Sequence, residues 1–140
     1  MSNNHNARRG GSHARVYSAW RTLPAFRALS LTALRLLIHV LCEHRAGGPN
    51  IWRMDDQTAA LLLDCSPNTG GAAIRELITK GWMRIERPGG MTGPRRARSR
   101  LVSLSQYPTA ARPAESWRYE NWMPSVHSNA PKNGAERTKK

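Results

Sequence analysis

The run Ser66-Pro-Asn-Thr-Gly-Gly-Ala-Ala-Ile-Arg-Glu-Leu-Ile-Thr-Lys-Gly-Trp-Met-Arg-Ile-Glu-Arg87 narrows the choice of fold more than any other part of the chain. It opens on a serine and a proline, the residue types suited to the cap and first position of a helix. Lys80 falls in the last turn, where a cation is favoured, and Gly81 supplies the left-handed residue that stops a helix. From Trp82 to Arg87 the period changes to that of a strand, with Met83, Ile85 and Arg87 on one face and Trp82, Arg84 and Glu86 on the other. The chain then passes through Pro-Gly-Gly and an arginine cluster, and alternation resumes from Arg100 to Ser105. Two strands around so long a loop make a hairpin whose loop has work of its own.

Upstream of this run the pattern is helical. Ser30 is a good N-cap, and Leu34, Leu37, Ile38 and Leu41 recur at i, i+3, i+4 and i+7, with Leu36 and Val40 widening that face. Arg35, His39 and Glu43 form a polar stripe that points to solvent, and Gly47-Gly48-Pro49 is expected to end the helix. Ahead of it, Trp20, Leu23 and Phe26 are the first anchors, and Leu23 to Leu29 reads as a short helical turn with Pro24 first. Ile51 to Met54 is an extended segment. Asp55 then caps a second helix through Leu63, with Ala59, Ala60, Leu62 and Leu63 as its contacts. The expected fold class is α+β, three helices with a two- to three-stranded antiparallel sheet. Residues 15–107 would form the domain and 108–123 an aromatic tail. Residues 1–14 and 124–140 would be disordered basic arms.

Charge sets the class of partner. The chain carries 22 Lys plus Arg against 9 Asp plus Glu, a net +13 that favours polyanions. Arginine supplies most of it, the residue whose planar fork suits phosphates and guanine edges. No apolar run approaches the roughly 18 residues of a membrane span, and the polar N-terminus is unlike a secretory signal. Two cysteines, Cys42 and Cys65, make no disulfide framework, so a reduced cytoplasmic, nucleoid-associated setting is expected. His39, Cys42 and His44 do not share one helical face, which argues against a metal site. Gly89-Gly-Met-Thr-Gly93 lacks the following Lys-Ser/Thr of a nucleotide-binding loop. No paired carboxylates suggest acid–base chemistry, so neither catalysis nor a cofactor is expected.

Two short helices joined by the turn Asp64-Cys65-Ser66 put the second forward as a rod that fits a major groove. Ala73, Ile74 and Leu77 define its inward face. Ser66, Pro67, Asn68, Thr69, Gly71 and Arg75 are then the candidate contacts, Asn68 toward an adenine edge and Arg75 toward guanine or phosphate. Amides of the first turn suit a phosphate. Beyond the helix, Arg84, Arg87, Arg95, Arg96, Arg98 and Arg100 stand against only Glu86, a one-signed cluster suited to the DNA backbone or a narrow minor groove.

Leu23-Pro-Ala-Phe-Arg-Ala-Leu-Ser30, Ser66-Pro-Asn-Thr69 and Ile74-Arg-Glu-Leu-Ile-Thr-Lys-Gly-Trp-Met83 resemble segments of winged helix-turn-helix domains. The similarity is to small regulators and replication-associated proteins of bacterial plasmids, prophages and mobile elements, and it spans Leu23 to Leu104. It implies a double-stranded DNA-binding transcriptional regulator, a repressor, with residues 66–80 as recognition helix and the basic loop as wing. The alternative is a replication-initiation or recruitment factor that binds origin DNA and a protein partner; an RNA-binding role is a third. The chain departs from the pattern at Asp64, where glycine is usual, at Gly70 and Gly71, which together cost about 2 kcal/mol against alanine in a helix, and at Ala72, where arginine is common. The glycines would permit close backbone approach to a groove or a helix that orders on DNA, and the bare helix would shift binding energy to the wing arginines. Of the five tryptophans, Trp52 and Trp82 are expected to pack the sheet on the first long helix. Trp117 and Trp122 would either fold back on the domain or meet a protein partner, which includes a second copy in a homodimer.

Overall fold

The computed structural model describes residues 13–91 and 97–125. They form a 3-10 turn (Ser18–Thr22), α1 (Pro24–Arg27), α2 (Leu31–Glu43), β1 (Trp52–Arg53), α3 (Asp56–Leu63) and α4 (Pro67–Thr79). There follow β2 (Met83–Arg87), β3 (Gly90–Met91), β4 (Ala97–Arg98), β5 (Leu101–Leu104) and α5 (Trp117–Glu120). The architecture is α+β. An antiparallel sheet runs in the order β1-β5-β2, and β3 pairs with β4 inside the β2–β5 connection. The extended segment at Trp52 thus becomes a third strand, with Trp52 opposite Val102.

Local capping sets the helix boundaries. Ser30 Oγ accepts from the Ala33 amide, Asp55 Oδ1 from the Thr58 amide and Ser66 Oγ from the Thr69 amide, so each of α2, α3 and α4 starts on a side-chain cap. Asp64 ends α3 in the left-handed conformation, φ 54 and ψ 53, the place for which glycine is usual. Gly81 ends α4 at φ +88, and a Cβ there would lie 2.5 Å from the Arg118 carbonyl carbon. That position needs glycine twice over, for its torsion and for the closeness of α5.

The two glycines inside α4 are explained by α3. Gly70 is buried, and a Cβ on it would stand 2.8 Å from the Ala60 nitrogen. Gly71 is buried as well, with the Asp56 carboxylate 2.6 Å from where its Cβ would be. Gly71 therefore does not belong to the outward face on which the sequence placed it. The close approach is to a neighbouring helix. It gives α3 and α4 a backbone-to-backbone seat that offsets the intrinsic cost of glycine in a helix.

At the other end of α4, Glu76 ties it to α2. Its carboxylate accepts from Ser30 N and Ser30 Oγ, both at 2.7 Å, and from Lys80 Nζ at 2.8 Å. Burial pushes the Glu76 carboxyl up, but the bonds from Lys80 and Ser30 outweigh it and hold the group below its ordinary value. α4 is thus held by α3 at Gly70 and Gly71 and by Ser30 at Glu76, and the side away from Gly70 stays open in its first turns.

The core runs from α2 through α4 to the aromatic tail. Ala33, Leu36, Leu37, Val40 and Leu41 of α2 face Ala73, Ile74 and Leu77 of α4 and Val102 and Leu104 of β5, all buried in one cluster. Trp82 is at its aromatic end, stacked on Tyr119 at 4.2 Å and edge-on to Trp20 at 4.8 Å, with Nε1 donating to the Ala25 carbonyl. The tail therefore shares the core, and Tyr119 anchors it. Trp122 lies half-buried beneath Lys80 Nζ, 5.6 Å from the ring centroid, while Trp117 is 54% exposed.

Three details differ from expectation. α2 stops at Glu43, before the glycines, because His44 turns extended and stacks its ring on Tyr107 at 3.8 Å. Leu62 lies at the surface beside Leu61, so only Ala59, Ala60 and Leu63 of α3 are buried. Ile85 is exposed although Met83 is buried, since the ladder shifts register between Ile85 and Arg87 and the other face of β2 is roofed by the chain beyond Tyr107.

Candidate nucleic-acid interface

The α3–turn–α4 unit carries the first half of the candidate surface. Ser66, Pro67, Asn68, Thr69, Ala72 and Arg75 are all exposed. Asn68, Ala72 and Arg75 follow i, i+4, i+7 spacing, so they share one face, opposite Gly70 and the buried Ala73, Ile74 and Leu77. Arg75 has no hydrogen bond or ion pair with any described residue. No carboxylate occurs between Cys65 and Arg75 in the sequence; Asp64 is exposed in the turn, Asp56 packs against Gly71, and Glu76 is engaged by Ser30 and Lys80. Of the N-terminal donors, the Thr69 amide is already taken by Ser66 Oγ and Pro67 has none, which leaves the Ser66 and Asn68 N–H groups for an incoming anion.

Arg84 is not part of any outer surface. Its side chain is 1% exposed. Nε bonds Ser103 Oγ at 3.0 Å, Nη1 the Pro113 carbonyl at 2.8 Å, and Nη2 the Leu104 and Tyr107 carbonyls at 3.2 and 2.8 Å. Glu86 and Glu115 supply the counter-charge at 3.8 and 3.4 Å, and Arg112 and Arg118 close the cluster around the same two carboxylates. Burial first, and then the charge of Arg112, pull the Arg84 guanidinium below its ordinary pKa. This arginine fastens the chain beyond β5 onto the sheet. The alternation that placed it beside Arg87 did not show which face of β2 would be covered.

Arg87 and Arg100 hold the root of the hairpin. Arg87 Nη2 donates to the Ser99 carbonyl at 2.8 Å, and Arg100 Nη1 to the Met54 carbonyl at 3.2 Å, with Asp56 Oδ1 at 3.7 Å. Both are half-buried. Arg98 is placed by its backbone alone, in β4 opposite Gly90, and Arg95 and Arg96 lie outside the described residues.

The structure exposes two further arginines that the motif reading did not select. Arg35 of α2 donates through Nη1 to the Leu63 carbonyl at 3.2 Å, which sets it beside the turn into α4. Its place on the polar stripe of α2 was the available signal. Arg53 of β1 keeps 71% of its side chain exposed, with Asp55 at 3.7 Å.

Among the described residues no group of three His, Cys, Asp or Glu side chains could hold a metal ion, and no helix is long and apolar enough to cross a membrane. Comparison with family models, curated proteins and solved structures returns no significant match.

Proposed function

We propose that the chain is a double-stranded DNA-binding transcriptional regulator, a repressor that acts by occupying its site. In this reading α3 and α4 are a helix-turn-helix, residues 66–80 enter the major groove, and the β2–β5 hairpin is a wing that follows the backbone. The observation that carries it is the open face of Asn68, Ala72 and Arg75 on a helix that Gly70 and Gly71 seat against α3 and Glu76 ties to Ser30. A rigid element with an uncommitted cation and an open amide at its N-terminal end suits phosphate and base edges. The net charge of +13 supplies attraction to any polyanion.

The test is a competition series at fixed salt with labelled duplex DNA against single-stranded DNA, structured RNA and heparin. Preference for duplex over all three supports the reading, and equal displacement by heparin defeats it. Asn68→Ala should change preference among duplex sequences. Arg95→Ala and Arg96→Ala should weaken all duplexes alike.

One observation favours a replication or recruitment role. Trp117 and Met123 are 54% and 67% exposed, next to the anchored Tyr119, and offer an apolar contact. Removing the whole tail cannot test this, because Pro113, Glu115 and Tyr119 hold the fold together. Trp117→Ala can: under the recruitment reading it keeps duplex affinity and loses a protein partner.

A further inference from the structure

The surface has a second cationic feature, a cleft of about 390 Å³ at the C-terminal end of α2. It is lined by Leu41 and by the stack of His44 on Tyr107, whose rings lie 3.8 Å apart and 5° from parallel. Its rim carries His13, Arg15 and Arg45, and among the described residues no carboxylate lines it; Glu43, next to His44, is exposed and is not among the lining residues. Arg45 Nη1 donates to the Cys42 carbonyl at 2.7 Å, which fixes this cation over the negative end of the helix. Arg15 has no hydrogen bond or ion pair with any described residue. Burial holds the His44 imidazole below its ordinary pKa, so near neutrality the ring is an uncharged part of the lining.

The lining is also held in place. The Tyr107 carbonyl accepts from Asn50 Nδ2 at 3.0 Å and from the buried Arg84 at 2.8 Å. A preformed concave site of this size, apolar below and cationic at the lip, suits a ligand with the opposite arrangement.

We infer that this cleft binds a small organic anion, a flat apolar body that bears a carboxylate or a phosphate. The body lies along the His44–Tyr107 pair and Leu41, and the anionic group sits between Arg15 and Arg45. A guanidinium matches either anion with two parallel hydrogen bonds, which is why the two rim residues set the charge of the ligand and leave carboxylate and phosphate equivalent. The cleft lies at the opposite end of α2 from the Ser30–Glu76 contact, and His44 is nine residues beyond Arg35, roughly 13 Å along the helix. The lining includes no residue of α4, and the inference does not rest on the DNA-binding reading.

Calorimetric titration of the full chain tests it without DNA. Salicylate and adenosine monophosphate are the probes, and salicylamide and adenosine their uncharged counterparts. Saturable binding of at least one anion, about tenfold tighter than its uncharged counterpart, is expected, and the pair of probes separates carboxylate from phosphate. Arg15→Gln and Arg45→Gln should each weaken that binding about tenfold; Arg15→Gln leaves the melting temperature of the unliganded protein unchanged and Arg45→Gln, which loses the Cys42 contact, lowers it slightly, while Arg21→Gln, a surface control, leaves binding intact. Failure of both anions to saturate, equal binding of the uncharged compounds, or full affinity in the Arg15 and Arg45 variants would overturn the inference. Competitive displacement of the probe by a short duplex would overturn it too, since the cleft would then be one more contact for the DNA backbone.

Discussion

The outward face of α4 and the root of the β2–β5 hairpin both present arginine in the sequence, yet the structure uses it in opposite ways. Arg75 on α4 reaches solvent with no partner among the described residues. Arg84 on β2 is buried and satisfied by Ser103, three carbonyls and two carboxylates. Arg87 and Arg100 stand between these extremes, each spent partly on a carbonyl of its own chain. A high arginine count in a basic protein therefore overstates the charge that a nucleic acid can meet. What decides availability is whether carbonyls and acids of the same fold reach the guanidinium first.

The comparison breaks most visibly under substitution of Arg84. Arg84→Met should cost about 3–5 kcal/mol in denaturant unfolding, because Glu86 and Glu115 are left without their buried partner. Arg75→Ala should stay within about 0.5 kcal/mol of the parent. Equal effects at the two sites would erase the distinction. Next in size is Gly70→Ala, which drives a Cβ against the Ala60 nitrogen and should cost about 1–3 kcal/mol by the same measurement, although alanine is the better helix former.

Acid titration gives a third, smaller effect. Asp55, held down first by the Thr58 amide, and Glu76, held down by Lys80 and Ser30 against burial, both have lowered pKa values in the folded state. Their contribution is complete above the ordinary values of 3.8 and 4.5 and is lost as pH falls below them through the folded values. Thermal melts should therefore decline below about pH 4.5 in the parent, and Glu76→Gln should flatten that decline at the expense of stability near neutrality. The smallest change in stability is expected for Ala72→Arg on the exposed face of α4, within about 0.5 kcal/mol. The same variant sharpens the comparison in the other direction, since an added cation there should strengthen duplex binding several-fold.

Much of the fold was legible because its signals are local. The caps at Ser30, Asp55 and Ser66, the left-handed stop at Gly81 and the strand alternation each depend on residues within a few positions of one another. What escaped depends on distant neighbours. The reason for Gly70 and Gly71 lies in α3, and the fate of Arg84 lies in a segment that begins more than twenty residues later. The expectation for the tail rested on Trp117 and Trp122, whereas the ring that stacks on Trp82 is Tyr119. On the candidate surface, Asn68, Thr69 and Arg75 follow from helical periodicity. Gly71 and Arg84 leave the set for tertiary reasons, and Arg35 lies beside the turn into α4 through its contact with the Leu63 carbonyl.

The central claim is that the open face of α4 meets the phosphates or bases of duplex DNA. The most direct test is the salt dependence of duplex binding, measured by fluorescence anisotropy for the parent and for Arg75→Ala. The parent should show log affinity falling linearly with log salt, and the variant should bind more weakly with a slope smaller by about one. An unchanged slope and affinity in a folded Arg75→Ala protein would place the contact elsewhere and contradict the account.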